Sequence, residues 1–288
     1  MGFILHKQLV TASAVAKMAR PANGAFAFVA VWLGAFVGGG ELSPFVLPLL
    51  AFSAATVLIL SAGNGINDIF DLPIDRINRP DRPLPSGKLS PKSAAAASSM
   101  MMVGGLVLAS TAGLLPTLIA IFAGMSLVLY GMKVKFIPLA GNALVGLLTS
   151  LTFVSGGIIA GCLSDAIVPA IFAFLFTFSR EIFKDIQDLP GDGIAGIRTA
   201  PLVWGTASAW RMAEVLITLG VIYSPVPYFV HNYTLLYLGI ILVGVDAVLI
   251  SSLLRLGRDP CPESAGRMQK ILKYDILVGF AAVFLGRP

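Results

Sequence analysis

Charged and chemically reactive side chains are scarce in this chain of 288 residues, where only 12% are charged and 57% are hydrophobic. A soluble domain carries about 25% charge, so a soluble enzyme or a nucleic-acid-binding module is a poor fit. The two cysteines, Cys162 and Cys261, are too few for a disulfide framework or a thiolate metal cluster. The first residues, "MGFILHKQLVTASAVAKMAR", lack a short apolar core followed by a small-residue cleavage site, so no cleaved leader is expected. His6 also stands where a myristoylation pattern requires Ser or Thr. The net charge of +5 would suit a nucleic-acid partner, but basic loops flanking membrane spans account for it.

What the chain has in quantity is apolar segments of spanning length. About 20 residues cross a bilayer as a helix, and nine segments qualify: 18–38, 45–67, 93–113, 115–131, 138–161, 165–184, 212–230, 233–254 and 271–287. Sorting the basic residues by loop places 19 of the 20 on one side, the exception being Arg287. By the positive-inside rule that side is cytoplasmic, which predicts a cytoplasmic N-terminus and an outer C-terminus. Cys162 and Cys261 then fall at opposite faces, against a disulfide. The small pairs Gly34/Gly38 and Gly157/Gly161 have the spacing that lets membrane helices approach closely.

Acids are few, 15 in all, yet they concentrate in two matched octets. "DIFDLPID" (68–75) and "DIQDLPGD" (185–192) agree at six of eight positions, 117 residues apart. Each follows an apolar span at its cytoplasmic end. Positions i, i+3 and i+7 share a helix face, so Asp68, Asp71 and Asp75 form one acidic wall and Asp185, Asp188 and Asp192 another. Pro73 and Pro190 disfavour helix at the residue before them, which predicts a break before the third Asp of each octet. Six carboxylates held close call for hard divalent cations, and Mg²⁺ binds through a few carboxylates plus substrate phosphates. A diphosphate held by metal-loaded acidic walls follows, with Arg79, Arg82, Lys88, Lys184 and Arg198 as its cationic neighbours. The bland alternative, solvated surface acids paired with arginines, is worth under about 1 kcal/mol and does not explain the repeat. The proline-rich loop 76–92 reads as a stiff cap at the cytoplasmic mouth.

"NDIFDLPIDRINRPDRPLPSG" (67–87) resembles the first signature of the UbiA superfamily of intramembrane prenyltransferases, and "REIFKDIQDLPGDGIAGIRT" (180–199) resembles the second. "LYGMKVKFIPLAGN" (129–142) is similar to a third stretch, and "ARPANG" (19–24) to the start of the first helix. The resemblance implies an all-α bundle of nine transmembrane helices around a central cavity open to the cytoplasm, in one domain over 1–288. It implies Mg²⁺-dependent transfer of a prenyl group from a prenyl diphosphate to a lipophilic acceptor. The octets look most like those of archaeal members that add a second geranylgeranyl chain to geranylgeranylglyceryl phosphate in ether-lipid synthesis. An aromatic acceptor such as 4-hydroxybenzoate or a naphthoate is the alternative. The partners implied are substrates and the bilayer, with no obligate protein.

On this reading the six aspartates hold metal, and Asn67, Asp68, Asp71, Tyr130, Lys135 and Asp188 are catalytic. Asn23, Arg79, Arg82, Asn142, Lys184 and Arg198 bind substrate. Tyr130, with Phe174 or Phe178, would present a π-face to an allylic cation. Blander roles exist: helix capping for Asn67, a topological anchor for Lys135 and for Arg20, an interfacial belt position for Tyr130, and interhelical hydrogen bonds for Asn23 and Asn142. Asp246, inside the eighth span, is an intramembrane acid with no partner visible in the sequence. A transporter with a cytoplasmic cation site is the rival from another class. It requires acids lining a path at the midplane, whereas both octets sit at one face. A phosphotransferase on a polyprenyl carrier would share the acids but break a P–O bond.

Overall fold

In lipid an open chain satisfies its amides only by coiling into helices, and the computed structural model is all-helical, with no strand among the described residues. Described are residues 2–195 and 198–287, apart from the side chains of 2–10, 78, 190–192 and 194–195. The chain divides into two compact units, Met1–Trp32 with Pro44–Val134, and Leu33–Ser43 with Lys135–Pro288.

The first unit holds α1 (Gly2–Ala19), α2 (Pro21–Phe36) as far as Trp32, α3 (Val46–Phe70), α4 (Leu72–Asn78), α5 (Pro91–Ser110) and α6 (Leu114–Met132). Helix α3 is its centre and packs on α5, α6 and α1. Small residues allow this: a Cβ at Gly105 would lie 2.7 Å from Ile59 Cγ1, and one at Gly65 would lie 2.2 Å from Ser98 Oγ. Arg20 separates α1 from α2 with φ at 54°, immediately before Pro21, whose ring disfavours the helical conformation there. The segment after α4 is tied down by Leu84 and Leu89, which are buried with Ala14, Met18 and Ala94. Ser90 Oγ accepts the Ser93 amide at 3.1 Å and so caps α5.

The second unit holds α7 (Ala140–Ala160), α8 (Leu163–Ala195), α9 (Ala200–Trp204), α10 (Thr206–Tyr223), α11 (Val226–Val230), α12 (Leu235–Ile240), α13 (Ala247–Leu256) and α14 (Pro262–Gly286). A π-helical stretch, Ile241–Asp246, joins α12 to α13. Helix α8 packs along α7, α10 and α14, over a core that includes Phe176, Phe183, Trp210, Tyr237 and Met268. Gly34 meets the backbone of α7, since a Cβ there would fall 2.0 Å from Phe153 O. Gly157 is equally tight, 2.2 Å from Ala166 Cβ. Gly161 has a different task from the packing role its spacing predicts. It ends α7 at φ 72° with nothing within 4 Å of a Cβ, a left-handed cap that glycine adopts at little cost.

Seven helical segments are long and apolar enough to cross a membrane, the first Ser43–Phe70 and the last Leu235–Leu256. They match seven of the nine expected spans, with edges moved by a few residues. Helix α2 has only 16 residues, roughly 24 Å at 1.5 Å per residue against a ~30 Å hydrocarbon core. Helix α14 has 25 residues, but Glu263, Arg267, Lys270 and Lys273 occupy its first half and Asp275 lies at its middle.

Candidate active site

The first octet straddles a helix junction, as Pro73 predicts. Asp68 lies in the last turn of α3, Asp71 caps its end, and Asp75 lies in α4. The second octet departs from that expectation. Helix α8 runs from Leu163 through the Pro190 position to Ala195 without a break. A proline removes only one ladder bond, and a helix with packed neighbours on several sides carries on across it. Asp185 and Asp188 therefore share one continuous helix, while the Asp192 side chain lies outside the described residues.

At the end of α3, acids and guanidinium groups alternate. Arg20 Nη2 is 2.5 Å from Asp68 Oδ1, and Arg20 Nη1 donates to Asn64 Oδ1 at 3.1 Å. Arg82 Nη1 sits 2.6 Å from Asp75 Oδ2 and 3.4 Å from Asp68 Oδ1. Asp68 and Asp75 are both buried, and the arginines supply the countercharge that burial of a carboxylate requires. Asn67 Nδ2 donates to Asp71 Oδ2 at 2.7 Å, so this asparagine holds an octet carboxylate. Its Oδ1 is a buried acceptor without a partner among the described residues. Arg79 is exposed in the segment that follows α4. Asn23 is exposed on the first turn of α2, and Tyr130 is half-buried near the end of α6.

In the second unit Asn142 Nδ2, on α7, donates to Asp185 Oδ2 on α8 at 2.8 Å. This is the interhelical hydrogen bond that a polar group on a span can make. Buried Glu181 takes Arg180 Nη1 at 2.9 Å and Lys184 Nζ at 3.3 Å. Lys135 Nζ lies 5.2 Å from the centre of the Phe136 ring, and Phe174 and Phe178 meet edge to face with centroids 5.7 Å apart. Asp188 is half-buried and Arg198 exposed. Among the described residues no three acidic, histidine or cysteine side chains converge closely enough to hold an ion unaided. The octet donors are all oxygen, which suits Mg²⁺, an ion that completes its shell with water and substrate phosphate. The unpartnered Asn67 Oδ1 beside Asp71 fits such a hydrated ion or its substrate.

The model of the UbiA prenyltransferase family matches residues 26–272. The chain belongs to the UbiA prenyltransferase family. It is a multi-pass membrane enzyme, and it transfers prenyl groups. This UbiA prenyltransferase is 39% identical over 277 residues to the digeranylgeranylglyceryl phosphate synthase of Halobacterium salinarum, covering 96% of this chain and 98% of that one. A solved structure of a digeranylgeranylglyceryl phosphate synthase is 30% identical, with a TM-score of 0.81, over 96% of this chain and 98% of the other. A UbiA homologue from Archaeoglobus fulgidus, solved with GPP and Mg²⁺, shares the fold at a TM-score of 0.67 and 19% identity, over 94% of this chain and 99% of that one.

Sequence reasoning passed over three residues of this UbiA prenyltransferase. Arg20 reads as a membrane anchor, yet its guanidinium is committed to Asp68 and Asn64. Asn64 and Glu181 stand one turn before Asp68 and Asp185, and the same 117-residue offset relates them. Helical spacing of four was the signal available, because i and i+4 continue the acidic face.

Proposed function

We propose that this enzyme transfers a geranylgeranyl group from geranylgeranyl diphosphate to the hydroxyl of geranylgeranylglyceryl phosphate and releases diphosphate, with Mg²⁺ as cofactor, in ether-lipid synthesis. The observation that carries this reading is the alternation Arg20–Asp68–Arg82–Asp75. It combines carboxylate oxygens for a metal with guanidinium forks for phosphate. The end-to-end similarity to synthases of that name supports the acceptor, and the GPP- and Mg²⁺-bound homologue supports the donor and the ion.

In this reading Asp68, Asp71, Asp75, Asp185, Asp188 and Asp192 provide the metal-binding carboxylates. Mg²⁺, when bound, supplies the positive charge that stabilises a departing diphosphate. Arg79, Arg82, Lys135, Lys184 and Arg198 bind phosphate oxygens that the metal leaves free. The allylic C–O bond breaks and its electron pair leaves with diphosphate. Tyr130, with Phe174 or Phe178, would present a ring surface to the allylic cation. Asn67 and Asn142 hold octet carboxylates in place, and Asn23 contacts substrate. The acceptor oxygen forms the new C–O bond and releases its proton, while the apolar helices keep water from the cation. The reading further assigns one prenyltransferase domain over 1–288, in nine helices around a cavity open to the cytoplasm. The N-terminus is cytoplasmic and the C-terminus outside.

The test is prenyl transfer by purified enzyme in detergent, from labelled geranylgeranyl diphosphate with Mg²⁺. Geranylgeranylglyceryl phosphate, 4-hydroxybenzoate and a dihydroxynaphthoate are offered as acceptors, beside Asp71→Asn and Asp188→Asn. Metal-dependent transfer to the glyceryl phosphate, reduced at least about a hundredfold in both variants, is expected. Transfer only to an aromatic acid would keep the mechanism and replace the acceptor. Hydrolysis or transfer at phosphorus would replace the reaction itself.

A further inference from the structure

Asp246 is the intramembrane acid for which the octets provide no use, and the structure supplies its surroundings. It closes the π-helical stretch Ile241–Asp246, inside the span Leu235–Leu256, and is buried. Its Oδ2 accepts the Ser224 hydroxyl at 2.5 Å, and the Ser224 carbonyl in turn accepts Tyr237 Oη at 2.8 Å. Its Oδ1 has no partner among the described residues. A second buried carboxyl, Asp275 on α14, likewise has an Oδ2 without a partner.

Helix register sets the two at one level of adjacent helices. A Cβ at Gly286 would meet Tyr237, and one at Gly244 would lie 3.0 Å from Val278 Cγ1. These contacts run antiparallel, so two residues beyond Gly244 the chain reaches Asp246 at the level of Asp275. Helix α14 packs on the Ile241–Asp246 stretch, and among the described residues neither carboxyl has an ion-pair partner.

Two carboxylates in an apolar body without a countercharge are costly, and such groups are retained where they are paired or hold a cation. Two negative charges are balanced by one divalent ion. The side-chain donors, two carboxylates and a hydroxyl, are all oxygen, which selects a hard ion over zinc or copper. A π-helical turn also releases a backbone carbonyl from the helical ladder, and such turns recur at functional sites. Ca²⁺ accepts irregular oxygen shells and sheds water readily, whereas Mg²⁺ demands a near-octahedral shell rich in water. We propose that Asp246, Asp275 and Ser224 form a second cation site, for a hard divalent ion with Ca²⁺ as its best fit, apart from the octets that bind prenyl diphosphate.

The test uses the full chain in detergent, stripped with EDTA, and reads Ca²⁺ bound per chain by equilibrium dialysis. It also reads Tm against added CaCl₂, with choline chloride matching ionic strength. Wild type should bind one more Ca²⁺ per chain than Asp246→Asn or Asp275→Asn, with prenyl transfer retained in both variants. Its Tm should rise by about 5 °C at a hundredfold excess over Kd, and the variants should show no rise. Without metal, Asp275→Asn should melt above wild type, because it removes an uncompensated charge; a merely structural aspartate would produce the opposite order. Ser224→Ala, which deletes only a hydroxyl, should weaken Ca²⁺ binding about tenfold. Equal Ca²⁺ counts in wild type and both aspartate variants would overturn the proposal. So would a wild-type Tm that follows pH and ignores metal ions, the signature of a protonated pair.

Discussion

Arg20 is the residue whose meaning changes most between chain and structure. As a basic group before an apolar segment it reads as an anchor, but its left-handed backbone and its two bonds, to Asp68 and Asn64, make it part of the acidic wall. Among the described residues, Arg20→Ala leaves buried Asp68 with only the 3.4 Å contact to Arg82. Loss of about 2 kcal/mol of stability is expected, together with a raised KM for prenyl diphosphate. Chemical denaturation and steady-state kinetics on the one variant read both, and a KM equal to wild type would return Arg20 to an anchoring role. The two cysteines are free and differ in acidity. Burial pushes the Cys162 thiol up, whereas the Ser264 hydroxyl and amide at the start of α14 draw the Cys261 thiol down. Thiolate is the reactive form, so on detergent-solubilised enzyme iodoacetamide should modify Cys261 faster at pH 7. The ratio should narrow as pH rises through the Cys162 titration, and peptide mass spectrometry of each site over time measures it.

At the scale of elements, close approach between helices sets which small residues matter. Gly104 and Gly105 are neighbours on α5 with opposite surroundings. A Cβ at Gly104 would have its nearest neighbour 3.8 Å away at Leu58 Cδ1, while one at Gly105 would lie 3.0 Å from the Ala55 carbonyl oxygen and 2.7 Å from Ile59 Cγ1. Gly104→Ala should therefore hold or raise stability, by up to about 1 kcal/mol from helix propensity. Gly105→Ala should lower it by about 1–3 kcal/mol through overpacking. Equal melting temperatures for the two variants would count against the tight α3–α5 contact. Helix α8 makes a related point about proline. The two octets share Leu-Pro at the same place, yet one proline lies at a junction and the other inside a 33-residue helix. What differs is the packing on either side, since α8 is held by α7, α10 and α14 while α4 is a short helix beyond the end of α3.

At the scale of the whole molecule, the distribution of basic residues carries the orientation proposed above. In sealed right-side-out vesicles a membrane-impermeant maleimide should label Cys162 and spare Cys261, with detergent exposing both. The reverse pattern would invert the topology. Much of this protein was legible in the chain itself. Hydropathy located the seven spans because a bilayer imposes a length and a composition on any helix that crosses it. The paired octets pointed to metal and diphosphate chemistry because carboxylates at fixed helical spacing have few other uses. Sequence did not disclose Arg20 against Asp68, Asn142 against Asp185 or Asp275 level with Asp246. Those partners lie 48, 43 and 29 residues apart in the chain. Such pairings depend on which helix faces pack together and in what register, and packing, unlike hydropathy or spacing, is decided only when the whole chain has folded.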